Sequence, residues 1–409
     1  MASRRQRPHD VRMGLPREDR PMLTVQTRPA RPHVVIAGGG VAAIELALAL
    51  HDLAGPRVRL TLIAPRSSYE RRSLRTAQPF SGDHGRRHPL HVLAGRVDAE
   101  LITDAVIAVD AARHRVRLAQ AGTITFQALA LAVGGRQRTP CSRAITFGGD
   151  TATAAISGLL ADLEGQWTRS VAFVVPDGIT WPAPLYELAL MTARALDAMC
   201  VDDVRLQLLS PERSPLAIFG PRASQAVADL LETAGIAFTG NAHVRPVADG
   251  RLRVLPGDER LIAERVVTLP TLEGPHLSGV PDDARGFIPV DDHGRVRGLI
   301  GVYAAGDATT FPVKQGGLAC QQADAVAEMI AAGAGAPLEP RPFRPVLRAR
   351  LLTGRGVQYV EHRLDGETGQ ERPPQPQAWS APRKVDGRYL SPWLQEMDDA
   401  MATPAAVRP

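Results

Sequence analysis

A glycine-rich turn near the amino end of the chain has the residue types and the spacing to hold a pyrophosphate. Residues 34–43 read VVIAGGGVAA, a short apolar run followed by three glycines and the start of an apolar helix. Gly38 permits a tight turn, Gly40 lets the backbone approach a phosphate, and Ala43 keeps the helix close to the strand. The amino end of the helix, at Val41, faces the phosphate charge. We predict a dinucleotide site here; the alternative is a glycine turn without a ligand.

A second motif lies far downstream, where an apolar strand runs into a glycine and an acid. Residues 302–307 read VYAAGD, and after a short loop Gly316 and Gly317 open another apolar helix. An acid at the carboxyl end of a strand can accept hydrogen bonds from ribityl hydroxyl groups, and a helix amino end stabilises negative charge on a flavin ring. Asp307 and the helix that begins near Gly317 therefore predict a flavin site.

The elements that must position these motifs alternate between strand and helix. From Pro32 the pattern is strand, helix, strand, as in a parallel sheet covered on both faces. Three short alternating runs between residues 106 and 126 predict a small antiparallel meander. The apolar run 129–133 predicts a buried strand that ends at Gly134 and Gly135. From about residue 150 a second α/β unit repeats the alternation, so we predict two Rossmann-like units in an α/β protein.

Composition limits the classes of protein to which this chain can belong. Its 409 residues are 44% hydrophobic, enough for two or three domains, and no apolar run has the roughly 18 residues of a transmembrane helix. The net charge of +5 comes from residues 1–31, which hold eight arginines and three acids, so we expect a disordered basic tail and no nucleic-acid partner. The three cysteines are far apart, which disfavours a disulfide framework and a zinc site; no metal is predicted.

The two motifs and the strand between them resemble, in this order, the FAD-binding pattern of the pyridine nucleotide–disulfide oxidoreductase superfamily. The resemblance covers about residues 32–335. Within the superfamily, the chain is most similar to the branch of sulfide:quinone oxidoreductases, flavocytochrome c sulfide dehydrogenases and type II NADH dehydrogenases. The resemblance implies an FAD domain interrupted by an NAD(P)-type domain. The implied organisation is a tail at 1–31, the FAD domain at 32–149 and 265–340, the NAD(P)-type domain at 150–264, and a C-terminal interface segment at 341–409.

The resemblance also assigns places to the cofactor contacts. Val106 lies near the adenine, and Asp307 holds the ribityl chain. Gly317 and Leu318 approach the pyrimidine edge of the flavin. The other implied contacts are Gly38, Gly40, Val41, Ala43, Ala132, Gly134 and Gly306.

One departure from the family pattern concerns the adenosine ribose. Related proteins end the second strand with an acid that binds this ribose, whereas residues 62–66 read LIAPR here, so Arg66 stands in the place of the acid. Losing the carboxylate removes charge-assisted hydrogen bonds of about 1–3 kcal/mol each. We predict that FAD still binds through its other contacts, with Arg66 or Arg72 turned toward a phosphate; an arginine would also suit a 2′-phosphate.

A second departure lies in the NAD(P)-type unit. After its strand at 171–175, the sequence PDGITWPAP at 176–184 replaces the glycine fingerprint, and prolines donate no amide hydrogen bonds to a phosphate. Glu212, at the end of the next strand, has the position of a ribose-binding acid and equally that of a surface residue at a turn. The resemblance implies NAD(P)H as a candidate second cofactor, and the proline-rich turn counts against it.

The same turn resembles the segment of sulfide-oxidising relatives in which a redox cysteine precedes a Tyr-Glu pair. Tyr186 and Glu187 supply the pair, but Trp181 occupies the place of the cysteine. Cys320, early in the helix of the second motif, is the thiol that would lie near the flavin; the alternative is a small apolar helix residue. Trp181, Cys320 and Lys314 are the candidate catalytic residues.

These patterns predict an FAD-dependent oxidoreductase with a noncovalent flavin. Electrons would pass from NAD(P)H, or from another two-electron donor, to a quinone or another acceptor. Two alternatives stay open: a sulfur-compound oxidoreductase, and a catalytically silent relative that acts as a binding module. We expect a cytoplasmic protein. An apolar stripe at 389–397 would suit either packing on the protein's own core or peripheral contact with the inner face of a membrane.

Overall fold

Two parallel β-sheets of five strands each form the framework of the protein. A computed structural model describes residues 31–71, 75–81, 86–149, 151–246, 252–354, 356–364, 385 and 387–402. Arg72 and the predicted basic tail, apart from Arg31, lie outside the described residues.

The first sheet joins strands that are far apart in sequence. Its parallel strands follow the order β20 (Val302–Ala304), β9 (Ala128–Leu131), β1 (His33–Ala37), β2 (Arg59–Ile63) and β5 (Ala99–Ile102). Val34 and Ile36 belong to a core with α1 (Val41–Leu53) and α7 (Gly316–Gly333), whereas Val35 belongs to a core on the opposite face. Because successive side chains of a strand point to opposite faces, this double burial explains the uninterrupted apolar run of β1.

The predicted meander covers the second face of this sheet. Its antiparallel strands are β6 (Val106–Asp110), β7 (Arg115–Leu118) and β8 (Thr123–Thr125). Val109, Val116 and Leu118 bury their side chains against the sheet. The smaller elements around this sheet are β3 (Ser68–Glu70) paired with β4 (Arg87–Pro89), β10 (Arg136–Arg138) paired with β19 (Thr271–Glu273), α2 (Gln78–Ser81) and α3 (Leu90–Arg96).

The second sheet is also fully parallel. Its strands follow the order β11 (Ile145–Thr146), β18 (Arg265–Thr268), β12 (Ser170–Val174), β13 (Arg205–Leu209) and β14 (Ile236–Thr239). Its helices are α4 (Ala152–Glu164), α5 (Ala183–Met199) and α6 (Pro221–Thr233). An antiparallel sheet packs on its other face, formed by β15 (His243–Pro246), β16 (Leu252–Leu255) and β17 (Glu259–Arg260). The predicted α/β class is confirmed, and the predicted domain boundaries stay a prediction.

The C-terminal elements tie the two units together. The strands β21 (Val346–Leu352) and β22 (Val357–Arg363) form an antiparallel hairpin, and α8 (Leu390–Ala402) follows. The Gln321 side chain, on α7, makes hydrogen bonds to both the amide and the carbonyl of Val346 at 3.0 and 2.8 Å. The Leu352 amide donates to Glu187 Oε1, on α5, at 3.0 Å. The hairpin therefore bridges the helices of both sheets.

The apolar stripe of α8 packs on the core of the protein. Leu390, Trp393 and Leu394 are buried in the core that α8 shares with α1. The structure thus decides between the two predicted uses of the stripe, because these side chains are turned inward. Among the described residues, none of the helices combines the length and the hydrophobicity needed to cross a bilayer.

Candidate functional site

A cavity of about 820 Å³ opens at the carboxyl ends of the first sheet's strands. The turns that follow β1, β2, β9 and β20 all line it, as ligand sites in doubly wound sheets do. It extends to the turn before α5, so both α/β units contribute to its wall. The sequence-predicted cofactor contacts that line it are Gly38, Gly40, Val41, Arg66, Val106, Ala132, Gly134, Gly306 and Asp307.

The glycine-rich turn has the geometry of a pyrophosphate cradle. Gly38 has a φ of +133°, and a Cβ there would lie 2.2 Å from the carbonyl oxygen of Ala132, so no other residue fits. Gly40 differs, because a Cβ there would meet nothing within 4 Å and would project into open space. Gly40 also caps α1 without any side-chain hydrogen bond, which leaves the first amides of the helix for a ligand. The turn therefore fits the pyrophosphate of FAD.

Ala43 has a different place from the other residues of this motif. It is completely buried and does not line the cavity. Its role is the packing of α1 against the sheet, as the spacing of the motif indicates.

The Gly-Asp turn after β20 is held by a side chain that the sequence did not reveal. The amide of Gly306 donates to Oε1 of Gln322, on α7, at 2.6 Å. Gly306 has a φ of +76°, which favours glycine. Asp307 follows and lines the cavity. Gln322 thus fixes the backbone that presents the predicted ribityl-binding acid.

The amino end of α7 is shifted by one residue from the prediction. The helix begins at Gly316, and Gln315 caps it by accepting the amide of Leu318 at 2.9 Å. Gly316 and Ala319 line the cavity, whereas Gly317 and Leu318 are buried away from it. Gly316 and Ala319 therefore join the candidate contacts at this end of the cavity, and the roles of Gly317 and Leu318 stay predictions.

The end of the cavity near Arg66 contains charges that sequence analysis missed. Arg66 is exposed and lines the cavity, and its predicted contact with a phosphate stays a prediction. Glu70 and Arg75 also line the cavity and form a bidentate ion pair. Arg75 Nε donates to Glu70 Oε1 at 3.0 Å, and Arg75 Nη2 donates to Glu70 Oε2 at 2.9 Å. Asp104 lines it too, and hydrogen bonds from backbone amides, that of Ala121 above all, lower the pKa of its carboxyl group. The strand before Asp104 has only four residues and is interrupted by Glu100, so no apolar run marked it.

Lys314 is a half-buried cation in the cavity wall. Its Nζ lies 3.9 Å from the centroid of the Phe287 ring and donates a hydrogen bond to the Thr309 carbonyl. Burial lowers the pKa of Lys314 to about 8, although the Asp307 carboxylate acts in the opposite direction. The side chain therefore changes charge close to physiological pH.

The proline-rich turn before α5 contacts the loop that leads to α7. Thr180 Oγ1 donates to the Pro312 carbonyl at 2.6 Å, which joins the two segments. Trp181 lines the cavity, and its ring meets the edge of Phe219 with centroids 5.7 Å apart. Trp181 is therefore both a wall of the cavity and an anchor of its own loop.

Glu212 is half-buried, and its carboxylate is engaged by hydroxyl groups of its own unit. Its carboxylate accepts the Tyr186 hydroxyl at 2.9 Å and the Ser210 hydroxyl at 3.0 Å. Burial raises the pKa of Glu212 despite these hydrogen bonds. The group does not line the cavity, and the fully buried Tyr186 ring holds it. The acid is thus engaged within its own unit.

The structure favours the apolar alternative for Cys320. The side chain is 1% exposed and belongs to the core between α1 and α7. It does not line the cavity, so the thiol has no direct path to a bound ligand.

Comparison with known proteins finds oxidoreductases with a similar fold. No protein-family profile matches the chain. The ferredoxin reductase component of chlorobenzene dioxygenase from Cupriavidus sp. (strain PS12) is 27% identical over 310 residues, which are 70% of this chain and 69% of that protein. The sulfide:quinone oxidoreductase of Aquifex aeolicus superposes with a TM-score of 0.74 at 20% identity, over 81% of this chain and 83% of that one. The chain shares its overall fold with these oxidoreductases.

A further solved structure supports the same assignment. A ferredoxin reductase from Rhodopseudomonas palustris superposes with a TM-score of 0.57 at 20% identity, over 78% of this chain and 79% of that one. The predicted resemblance and fold class are confirmed by these matches, and the similar proteins are oxidoreductases by name.

Proposed function

We propose that the protein is an FAD-dependent oxidoreductase that holds its flavin noncovalently in the 820 Å³ cavity. The observation that carries the proposal is the convergence of the pyrophosphate turn, the Gly-Asp turn and the amino end of α7 on one cavity. In sequence these features are separated by most of the chain. The oxidoreductases that share the fold support the same chemistry.

Different residues of the cavity bind different parts of such a cofactor. The uncapped amides of α1 bind the pyrophosphate, and Asp307 accepts hydrogen bonds from the ribityl hydroxyl groups. FAD, when bound, supplies the chemistry by taking two electrons from a donor and passing them to an acceptor. Lys314 adds a positive charge to the wall, which stabilises negative charge at this end of the cavity.

The partners of the reaction are small molecules or a carrier protein that reach the cavity beside Trp181. Relatives named as a ferredoxin reductase component and as a sulfide:quinone oxidoreductase favour a ferredoxin or a quinone as the acceptor. NAD(P)H is the first candidate donor, although the turn at 176–184 offers few amides for its phosphates. Sulfur chemistry through Cys320 is the weaker candidate because the thiol is buried. The proposed location is the cytoplasm.

The protein is expected to purify yellow, with about one noncovalent FAD per chain. The converging motifs provide the binding site, and nothing in them suggests a covalent link. Denaturing the protein and identifying the released chromophore by chromatography tests the expectation. A colourless protein that cannot be reconstituted with FAD would contradict the proposed function.

Lys314 is expected to tune the bound flavin in a pH-dependent way. Its ammonium group is charged below the pKa of about 8 and loses its proton as the pH rises through that value. In the Lys314→Met variant, the midpoint potential of the flavin at pH 7 should fall by roughly 30 mV, which corresponds to about 1.4 kcal/mol for two electrons. The difference between the two proteins should shrink above pH 8. The measurement is a dye-coupled redox titration from pH 6 to 9.5.

The matched control for this titration is Lys314→Arg, which keeps a positive charge at every pH used. The midpoint potential of Lys314→Arg should differ from that of Lys314→Met at every pH in the range. Equal potentials for the native protein and Lys314→Met at pH 6 would remove Lys314 from the electrostatics of the cavity.

A further inference from the structure

We propose that Glu45 is a positioning residue that clamps the C-terminal chain at Val385 and Gly387 against the α7 end of the cavity, and so retains the cofactor. The inference rests on the proposed function, because the clamped chain is part of the wall of the proposed FAD site. Three elements meet at this carboxylate: α1, which begins at the pyrophosphate turn, α7, and the start of α8.

Glu45 caps the amino end of α8 from inside the core. Its carboxylate accepts the backbone amides of Tyr389 and Leu390 at 2.9 and 2.5 Å. The side chain is completely buried on α1, and these amides belong to residues more than 340 positions later in the chain. A helix amino end carries unpaired amides and a partial positive charge, so a buried carboxylate suits it.

The clamped chain reaches the cavity wall through short contacts. Ser391, in the first turn of α8, accepts the Gly387 amide at 3.0 Å and donates to the Val385 carbonyl at 3.1 Å. Val385 lines the cavity, and a Cβ on Gly316 would lie 2.9 Å from it. The wall at the amino end of α7 is therefore held in place by the hydrogen bonds of Ser391 and Glu45.

Gly387 shows how tightly the chain fits between α1 and α7. A Cβ at this position would lie 2.7 Å from Glu45 Oε2 and 2.9 Å from Cys320 Sγ. There is no room for a side chain between the carboxylate and the backbone. Cys320 thus supports the clamp as a small packed residue.

The charges around the clamp make it sensitive to pH. Burial and the neighbouring Glu45 carboxylate raise the pKa of Asp324, on α7, to about 8, and burial also raises the pKa of Glu45. Arg388 stabilises the ionised form of Asp324, whereas Glu328 opposes it. Glu328 is itself paired with Arg341. The clamp therefore contains two neighbouring buried carboxyl groups, each with a pKa above its ordinary value.

Raising the pH should loosen the clamp. A carboxyl group whose pKa is higher in the folded state stabilises that state most at low pH, and the contribution is lost as the pH rises through the folded value, here about 8. A second buried negative charge then faces Glu45. Contacts later in the helix, such as the ion pair of Arg71 with Asp398, stay in place, so we expect local release of the Tyr389 and Leu390 amides and not unfolding.

The test measures release of FAD from the holoprotein by the rise in flavin fluorescence after dilution, from pH 6 to 9.5. For the native protein the release rate should rise several-fold above pH 8. Asp324→Asn should keep release slow across the range, because its side chain cannot ionise. Glu45→Ala should speed release about tenfold at every pH, and Glu45→Gln should restore part of the loss.

Glu328→Gln is the matched control, since Glu328 is the next acid on α7 but is paired with Arg341 and makes no contact with the α8 amides. Its release rate at pH 6 should equal that of the native protein, and the rise should only move to lower pH, because the Glu328 charge contributes to the raised pKa of Asp324. An Asp324→Asn variant with the same rise above pH 8 as the native protein, or a Glu45→Ala variant with native release, would overturn the proposal.

A second measurement separates this proposal from the proposed function. Hydrogen exchange of the peptide at 387–402 reports the two amides that Glu45 accepts, with or without FAD. In apoprotein, exchange in this peptide should accelerate above pH 8 beyond the intrinsic rate, and Asp324→Asn should suppress the acceleration. If no FAD binds at all, the proposed function fails. The clamp is overturned only if the exchange of this peptide above pH 8 is the same in the native apoprotein and in Asp324→Asn.

Discussion

Replacing Gly40 by valine is expected to give a folded protein that has lost FAD. Valine fits the polypeptide, because a Cβ at Gly40 meets nothing within 4 Å and the residue has an ordinary φ of −96°. The same side chain would occupy the space that the pyrophosphate needs beside the first amides of α1. We expect FAD affinity to fall at least tenfold, about 1.4 kcal/mol, and by considerably more if the backbone cannot shift.

Three variants make this expectation specific. Asp307→Ala should also lower FAD occupancy, because it removes the acid from the Gly-Asp turn. Glu212→Ala should leave FAD bound, since Glu212 does not line the cavity. Gly38→Ala should fail to fold properly even without FAD, because its Cβ would lie 2.2 Å from the Ala132 carbonyl oxygen. Absorbance of the purified proteins and isothermal titration of the apoproteins measure these differences.

Equal losses of FAD from Gly40→Val, Asp307→Ala and Glu212→Ala would show that the site is assigned to the wrong unit. Native FAD content in Gly40→Val would place the pyrophosphate elsewhere. Circular dichroism of each apoprotein shows whether a loss of flavin reflects a loss of fold.

Truncating Trp181 to alanine is expected to speed reduction of the bound flavin by NADH or NADPH about tenfold, or about 1.4 kcal/mol of barrier. The indole is half-buried and lines the cavity at the turn before α5, where the fold would bring in a nicotinamide. The Phe219 ring holds it there, with centroids 5.7 Å apart. The native protein should therefore react slowly with both nucleotides. Anaerobic stopped-flow reduction at several nucleotide concentrations measures the rates.

Trp167→Ala is the matched control for this experiment. Trp167 belongs to the same unit but is 82% exposed and does not line the cavity, so its removal should leave the reduction rate unchanged. Fast and saturable reduction of the native protein, with no gain in Trp181→Ala, would show that the path to the flavin is open. Trp181 would then serve only to anchor its loop against Phe219.

The sequence by itself determined the parts of this protein whose geometry is local. The turn from Gly38 to Gly40 and the Gly306-Asp307 turn were predicted from short runs, because a strand, a glycine turn and a helix amino end are specified within about ten residues. The parallel sheets followed from continuous apolar strands. The start of α7 was predicted near Gly317, whereas the helix begins at Gly316.

Tertiary structure alone decided how distant segments meet. Arg350, from the C-terminal hairpin, and Asp104, shortly after the four-residue strand β5, line the cavity without any motif to mark them. The engagement of Glu212 by Tyr186 and the burial of Cys320 depend on which neighbours surround each side chain. The apolar stripe of α8 suits packing on the core and contact with a membrane equally well in sequence. A hydrophobic face indicates that it will be buried, but it does not indicate which surface will cover it. Its docking on α1 is decided by partners such as Glu45, more than 340 residues away.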